Sequence, residues 1–418
     1  MMTKTFEKLF SPKYSVPTTN KWLTVLSLLT AFWLASCSGN RQEAQSGVHL
    51  TVGDTPAQVD RPVTGADITN YKQFPSRNLK ASPAPFTFTV DTAAQLTQLN
   101  KIIAANGASV KVENYLKASA TVAFLVIKDD KIIVEKYYPN EGNVYQASSV
   151  ATSFSMAKSV TSALLGIAIG EGKVKSVDEP ITTYLTELRN GKGFEKITIK
   201  HLLNMTSGIK FDETFGINSD LGKLYTTPDI LAQVKGLEVE RAPGQLLNYQ
   251  SINTQLLGII IARATQLPLT QYLQDKIWTP LGMEYDASWS LDRVGGIEKS
   301  MCCINARARD FAKFGRLYLK QGNWQGKQIV PAQWVATSIT YDPANTYDYA
   351  YLYNYQWWFP KTSVTDSTTD FLANGVLEQY IYVSPTKNLI IVKLSNDKLA
   401  ADGNLENILI MRRIAESF

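Results

Sequence analysis

Two hairpin-like stretches lie near opposite ends of the chain, and they limit its fold more than any other feature. Val122 to Lys128 is a short, mostly apolar run, followed by an Asp129-Asp130 turn and a second strand-like run, Lys131 to Tyr138. Gln379 to Ser384 and Asn388 to Leu394 bracket Pro385-Thr386-Lys387 in the same manner. Runs of this length and composition around turn residues read as β-hairpins. Between them the pattern is helical, at Ala157 to Gly170, Thr198 to Met205, Thr254 to Ala264 and Ala306 to Gln321, and Leu405 to Ser417 reads as a closing helix. Strands at both ends with helices between them predict an α+β fold. One antiparallel sheet is built from both termini, helices flank it, and an all-helical lobe is inserted over approximately residues 160–300. No internal repeat interrupts this plan.

The N-terminus reads as an address. Lys4, Lys8, Lys13 and Lys21 precede an apolar run over residues 22–36, which is shorter than the ~20 apolar residues of a membrane-spanning helix. It fits the apolar part of a secretory signal. The run ends in Leu34-Ala35-Ser36-Cys37, similar to the lipobox of bacterial lipoproteins, in which the cysteine is lipidated after cleavage. The expectation is a signal peptide over 1–36, a lipid on Cys37, and a tether over 37–84 rich in Ser, Gly, Thr, Pro and Gln. The remainder, 85–418, would then sit in the cell envelope as one domain, lipid-anchored to a bacterial membrane and facing the periplasm or the surface.

Composition excludes several classes. The net charge is +5, part of it carried by the N-terminal lysines, and no basic block interleaved with aromatics follows, so nucleic acid is not an expected partner. There are two histidines, His49 and His201, and three cysteines, Cys37 and the adjacent Cys302 and Cys303. That inventory does not make a paired Cys/His metal site, so neither a metal nor another cofactor is expected. Cys302 and Cys303 read as buried small residues, with a vicinal disulfide as the alternative.

Ser155-Met156-Ala157-Lys158 is a Ser-x-x-Lys motif. The same pattern also occurs at Ser207, Ser384 and Ser395, where it falls in loops or turns. Only Ser155 opens a long apolar helix, with Val160, Leu164, Ile167 and Ala168 on one face. A serine at a helix N-terminus sits at the positive end of the dipole, beside N–H groups able to hold an oxyanion. A lysine three residues on shares its face. Packed among apolar neighbours, that lysine is poorly solvated, which favours a neutral amine able to act as base. Tyr249, on a loop before the helix containing Leu256-Leu257-Gly258, is placed to share the proton transfer. An isolated motif of this kind is ordinarily a cap and a surface lysine, and Tyr249 alone is ordinarily a packing residue, so their combination is what carries weight.

The stretch Thr152 to Ala168 around Ser155 and Lys158 closely resembles the serine β-lactamase and penicillin-binding-protein superfamily. It looks most like the class C branch and, within it, the 6-aminohexanoate-dimer hydrolases and related esterases. Ile197 to Gly208, Tyr249-Gln250-Ser251, Arg309 to Gly315, Gly326 to Pro331 and Tyr355 to Trp358 are similar to family segments in the same order, so the resemblance covers roughly residues 115–415. It implies a β-lactamase/transpeptidase-like fold and an acyl-enzyme on Ser155, with Lys158 and Tyr249 as base. It also implies an oxyanion hole from the N–H groups of Ser155 and Val376, and substrate contacts from Ser251, Ala373, Asn374 and Gly375. Ala373-Asn374-Gly375 stands where the family carries Lys-Thr-Gly, so the cation that binds a substrate carboxylate is missing. The substrate expected is a small amide, an ester or a peptide. A β-lactamase or D-Ala-D-Ala carboxypeptidase is the first alternative, and a non-catalytic cell-envelope binding lipoprotein is the second. His201, in an amphipathic helix, is expected to be structural.

Overall fold

In the computed structural model, the structure describes residues 65–96, 98–342, 352–363, 365–398 and 405–418. The expected signal peptide, Cys37 and the first part of the tether lie outside the described residues. No helix among the described residues is long and apolar enough to cross a membrane.

The two hairpins form as expected and join. Thr121–Lys128 pairs antiparallel with Lys131–Tyr137 through a turn in which Asp129 and Asp130 both have positive φ, 51° and 60°. Gln379–Ser384 pairs with Leu389–Ser395, and Leu389–Ser395 then pairs with Thr121–Lys128. The ends of the domain thereby share the centre of an eight-stranded sheet. Its order is Tyr353–Asn354, Trp357–Trp358, Phe371–Gly375, Gln379–Ser384, Leu389–Ser395, Thr121–Lys128, Lys131–Tyr137, Thr89–Val90, and only the last pair is parallel.

Strand alternation divides the apolar side chains between two faces. Ala123, Leu125 and Ile127 face one cluster, which includes Leu164 and Ala168 of helix Ala157–Gly170. Phe124 and Val126 face the other, with Ile408, Met411 and Ile414 of the closing helix, Leu405–Ser417. Each fully buried side chain of this size contributes roughly 1.5–3 kcal/mol. Helix Ala308–Leu319 lies on the first face, and it lies close. A Cβ on Gly315 would come within 2.8 Å of Ile390 Cγ2 and 2.9 Å of Ile381 Cγ2. Two bidentate ion pairs, Arg309 with Glu135 and Arg316 with Asp130, tie the same helix to the first hairpin.

The tether expected over 37–84 ends earlier than its composition suggests. Ser76–Leu79 is a strand paired antiparallel with Ala287–Ser290, in a second, four-stranded sheet that also contains Ile304–Ala306 and Ala151–Thr152. Ile68 and Leu79 are fully buried. Residues 65–84 therefore belong to the folded domain. Their strand is held by its partner and shows no strong alternation of its own.

Lys299 is fully buried, and its amine has no hydrogen-bond partner among the described residues; it lies 4.9 Å from the centre of the Phe74 ring. Burial lowers its pKa to about 8, and Asp292 opposes the shift. The unfolded chain binds this proton more tightly than the folded one, so the penalty is full below pH 8. It is relieved as pH rises from about 8 to 10.5. Lys299→Met is therefore expected to stabilise the domain by about 2–3 kcal/mol at pH 7 and to flatten the rise of stability across that window. Urea unfolding of both proteins at a series of pH values checks this.

Candidate active site

The segment that carries Ser155 starts in the small sheet. Ala151–Thr152 pairs with Ile304–Ala306, and Ser153 continues the register: its N–H donates to Ile304 O (2.8 Å) while its hydroxyl accepts from Ile304 N–H (3.0 Å). The chain then bends sharply at Phe154, φ 42°, into a 3-10 turn, Phe154–Met156, that leads into helix Ala157–Gly170. Ser155 thus stands in the turn that opens the helix, two residues before its first residue, Ala157, the start that the sequence pattern predicts. A left-handed, non-glycine residue at this point costs about 1–2 kcal/mol and is held by the surrounding bonds.

Lys158 lies one turn on and is 2% exposed. Its Nζ lies within hydrogen-bond distance of three oxygens: Ser155 Oγ (2.8 Å), Ser251 Oγ (3.0 Å) and the carbonyl of Met301 (2.9 Å). Ser251 is the first residue of helix Ser251–Thr265, as the loop-to-helix reading of Tyr249 requires. The Tyr249 ring centre lies 5.2 Å from Lys158 Nζ, and the ring packs on Tyr353 and Trp358. Gln356 joins the supporting helices. Its carbonyl accepts from Ser159, and its side chain accepts from Thr254 and donates to the carbonyls of Leu202 and Leu203.

Glu213 is the site residue that sequence reasoning missed. Its carboxylate accepts from the hydroxyl of Ser251 (2.5 Å) and from the backbone N–H of Ser251 (2.7 Å). It sits in a loop without periodicity, within Phe211 to Ser219, and the sequence offers no signal for its role beyond its place after a family-like segment.

Strand Phe371–Gly375 runs up to Ser155. A Cβ on Gly375 would lie 2.6 Å from Ser153 O and 3.1 Å from Ser155 N, so only glycine permits this approach. Val376 follows and lines the same cavity as Ser155. The connection to the next strand then passes through Leu377 and Glu378, with φ 64° and 63°, positions that hairpins usually give to Gly, Asn or Asp. Gln379 donates to the carbonyls of Leu377 (3.1 Å) and Ser395, and Lys393 forms a buried ion pair with Glu378. Tyr115 lies beside that pair, and burial together with the Glu378 charge pushes its phenol pKa well up.

The cavity in front of Ser155 measures ≈ 140 Å³. Phe154, Phe215, Ile217, Leu221, Tyr225 and Val376 give it an apolar wall, and Glu213 is the charged residue among those lining it. Ala373 and Asn374, expected as substrate contacts, do not line it; both are buried in the sheet, 0% and 7% exposed. Gly375, also expected as a substrate contact, is buried at the strand's end and does not line it either; the lining begins with the next residue, Val376. Cys302 and Cys303 form a disulfide, so the alternative reading of this pair holds. Both are buried, and Cys302 lines the cavity. His201 caps its own helix, accepting at Nδ1 from the N–H of Thr198 (3.0 Å), and burial lowers its pKa. No group of three His, Cys, Asp or Glu able to hold a metal occurs among the described residues.

Comparison with known proteins bears on the family and the fold. The sequence profile of the family described as Beta-lactamase matches residues 110–414. The chain is 24% identical to the 6-aminohexanoate-dimer hydrolase of Paenarthrobacter ureafaciens over 309 residues, covering 68% of this chain and 75% of that protein. Among solved structures, a Bacillus anthracis protein assigned as a 6-aminohexanoate-dimer hydrolase is similar in fold. Its TM-score is 0.72 at 22% identity, over 84% of this chain and 91% of that one. A family VIII carboxylesterase gives a TM-score of 0.58 at 14% identity, over 73% of this chain and 95% of that one.

Proposed function

The chain belongs to the β-lactamase family, and from that premise we propose that it is an exported serine hydrolase that cleaves an uncharged ester or small amide through an acyl-enzyme on Ser155. The observation that carries this reading is the 2.8 Å contact between the buried Nζ of Lys158 and Oγ of Ser155, a residue that lines an apolar cavity.

In the proposed reaction the Lys158 amine takes the hydroxyl proton of Ser155, and Oγ bonds to the substrate carbonyl carbon. The carbonyl π pair moves to oxygen, and the oxyanion is held by the N–H groups of Ser155 and Val376. The bond to the leaving group then breaks, and the leaving group receives the proton from Lys158, helped by Tyr249. Water attacks the acyl-enzyme, gives its proton back along the same groups, and releases Ser155. Removing one oxyanion donor of this kind costs about 10²–10³ in rate.

The cavity lining supports an uncharged substrate. No lysine or arginine is among the described residues lining it, and Glu213 adds negative charge. A carboxylate would find no charge-assisted partner worth about 1.5–3 kcal/mol. This disfavours the β-lactamase and carboxypeptidase alternatives, and the assembled Ser155–Lys158–Ser251 contacts disfavour a non-catalytic binding role.

Ser155→Ala is expected to abolish p-nitrophenyl ester hydrolysis with an unchanged melting temperature. Most of the activity surviving would remove Ser155 as nucleophile. The wild type should turn over penicillins with kcat/KM roughly one to two orders of magnitude below that for the ester, at about 1.4 kcal/mol per tenfold. Equal or better penicillin turnover would contradict the uncharged-substrate reading. Export and lipidation rest on residues 22–37 of the sequence. In a bacterial host, Cys37→Ala should leave the protein unprocessed or release it from the membrane fraction, whereas wild-type processing and distribution would rule the anchor out.

A further inference from the structure

The hydrogen-bond directions around Lys158 are set by a group two bonds away. We propose that Glu213 is a positioning residue that, acting through Ser251, aims the lone pair of the Lys158 amine at Ser155. The proposal rests on the reading of Lys158 as base.

The argument is one of donors and acceptors. A carboxylate only accepts. One Glu213 oxygen takes the backbone N–H of Ser251 and the other takes its hydroxyl proton. With that proton committed, Ser251 Oγ faces Lys158 as an acceptor, 3.0 Å away. The Met301 carbonyl, 2.9 Å away, is also an acceptor and cannot be otherwise. A neutral amine has two N–H bonds and one lone pair. With Ser251 Oγ and the Met301 carbonyl both fixed as acceptors, its two N–H bonds go to them, and its lone pair is left to face the Ser155 hydroxyl at 2.8 Å. The base is thereby oriented before substrate arrives. Were the Ser251 hydroxyl to turn round, it would donate to that lone pair and compete with Ser155 for it.

Glu213→Gln brings about this reversal with little change in shape. The backbone N–H of Ser251 cannot reverse, so it holds the amide oxygen. The amide NH₂ is then left facing Ser251 Oγ, which must accept and turn its own proton toward Lys158. Measured on a p-nitrophenyl ester, kcat of Glu213→Gln is expected to fall by at least about tenfold with KM changed by less than about threefold. The double variant Glu213→Gln/Ser251→Ala removes the reversed hydroxyl, and its kcat should exceed that of the single variant. A purely structural Glu213 gives the opposite sign, because a second change at the helix start adds damage. A double variant no more active than Glu213→Gln overturns the proposal, as does a folded Glu213→Gln with wild-type kcat.

Should Glu213→Gln not fold, Glu213→Leu, with and without Ser251→Ala, makes the same comparison, since its Ser251 proton is no longer committed. If both Glu213 variants fail to fold while Ser251→Ala folds, Glu213 is a structural cap and the proposal falls. A Ser155→Ala control run alongside separates this outcome from failure of the underlying reading. If that control stays active, the nucleophile assignment is wrong, whatever the Glu213 variants do.

Discussion

A lysine amine held out of water among three oxygens is the constraint on which the rest of this structure depends. Burying a lysine is costly unless its polar end is satisfied. Here Nζ of Lys158 meets Ser155 one turn earlier in the chain, Ser251 at the start of another helix, and the Met301 carbonyl in a loop between two strands of the small sheet. Those three partners come from segments far apart in sequence, so the contact exists only when the helical lobe and the small sheet have docked. Gln356 stitches the same helices together from behind. The site is therefore a product of the whole fold.

The backbone around this amine carries strain. Phe154, Cys303, Leu377 and Glu378 all have positive φ without being glycine. Each such residue costs about 1–2 kcal/mol and persists only when its surroundings over-determine it. Those surroundings can be named: Ser153 bonded to Ile304, the Cys302–Cys303 disulfide, and Gln379 with the Lys393–Glu378 pair. The effect is to bring Ser155 and Val376 to the same cavity, where a glycine at 375 leaves room for the close approach of the two segments.

Much of this was legible from sequence, for reasons that differ by element. The helices at 157–170 and 405–417 and both hairpins carry clear periodicity or turn residues, and their observed bounds, Ala157–Gly170 and Leu405–Ser417 among them, follow the pattern closely. Ser155 and Lys158 stood out because only one of four Ser-x-x-Lys matches opens an apolar helix. What escaped depends on tertiary contact. The strand Ser76–Leu79 lies in a stretch that reads as tether and is made by its partner Ala287–Ser290. Glu213 is one acidic residue in an aperiodic loop, and its importance appears only beside Ser251. Ala373, Asn374 and Gly375 were placed at the site by family position, but the sheet buries all three, and the cavity lining begins only at Val376.

The central claim is that Ser155 is a nucleophile activated by Lys158, and covalent trapping tests it most directly. The protein is exposed to an uncharged fluorophosphonate and its intact mass is measured, followed by peptide mapping. The account predicts a single phosphonyl adduct on Ser155, formed quickly in the wild type and lost or greatly slowed in Lys158→Ala. An adduct on a different residue, or undiminished labelling of Ser155 without Lys158, would contradict it.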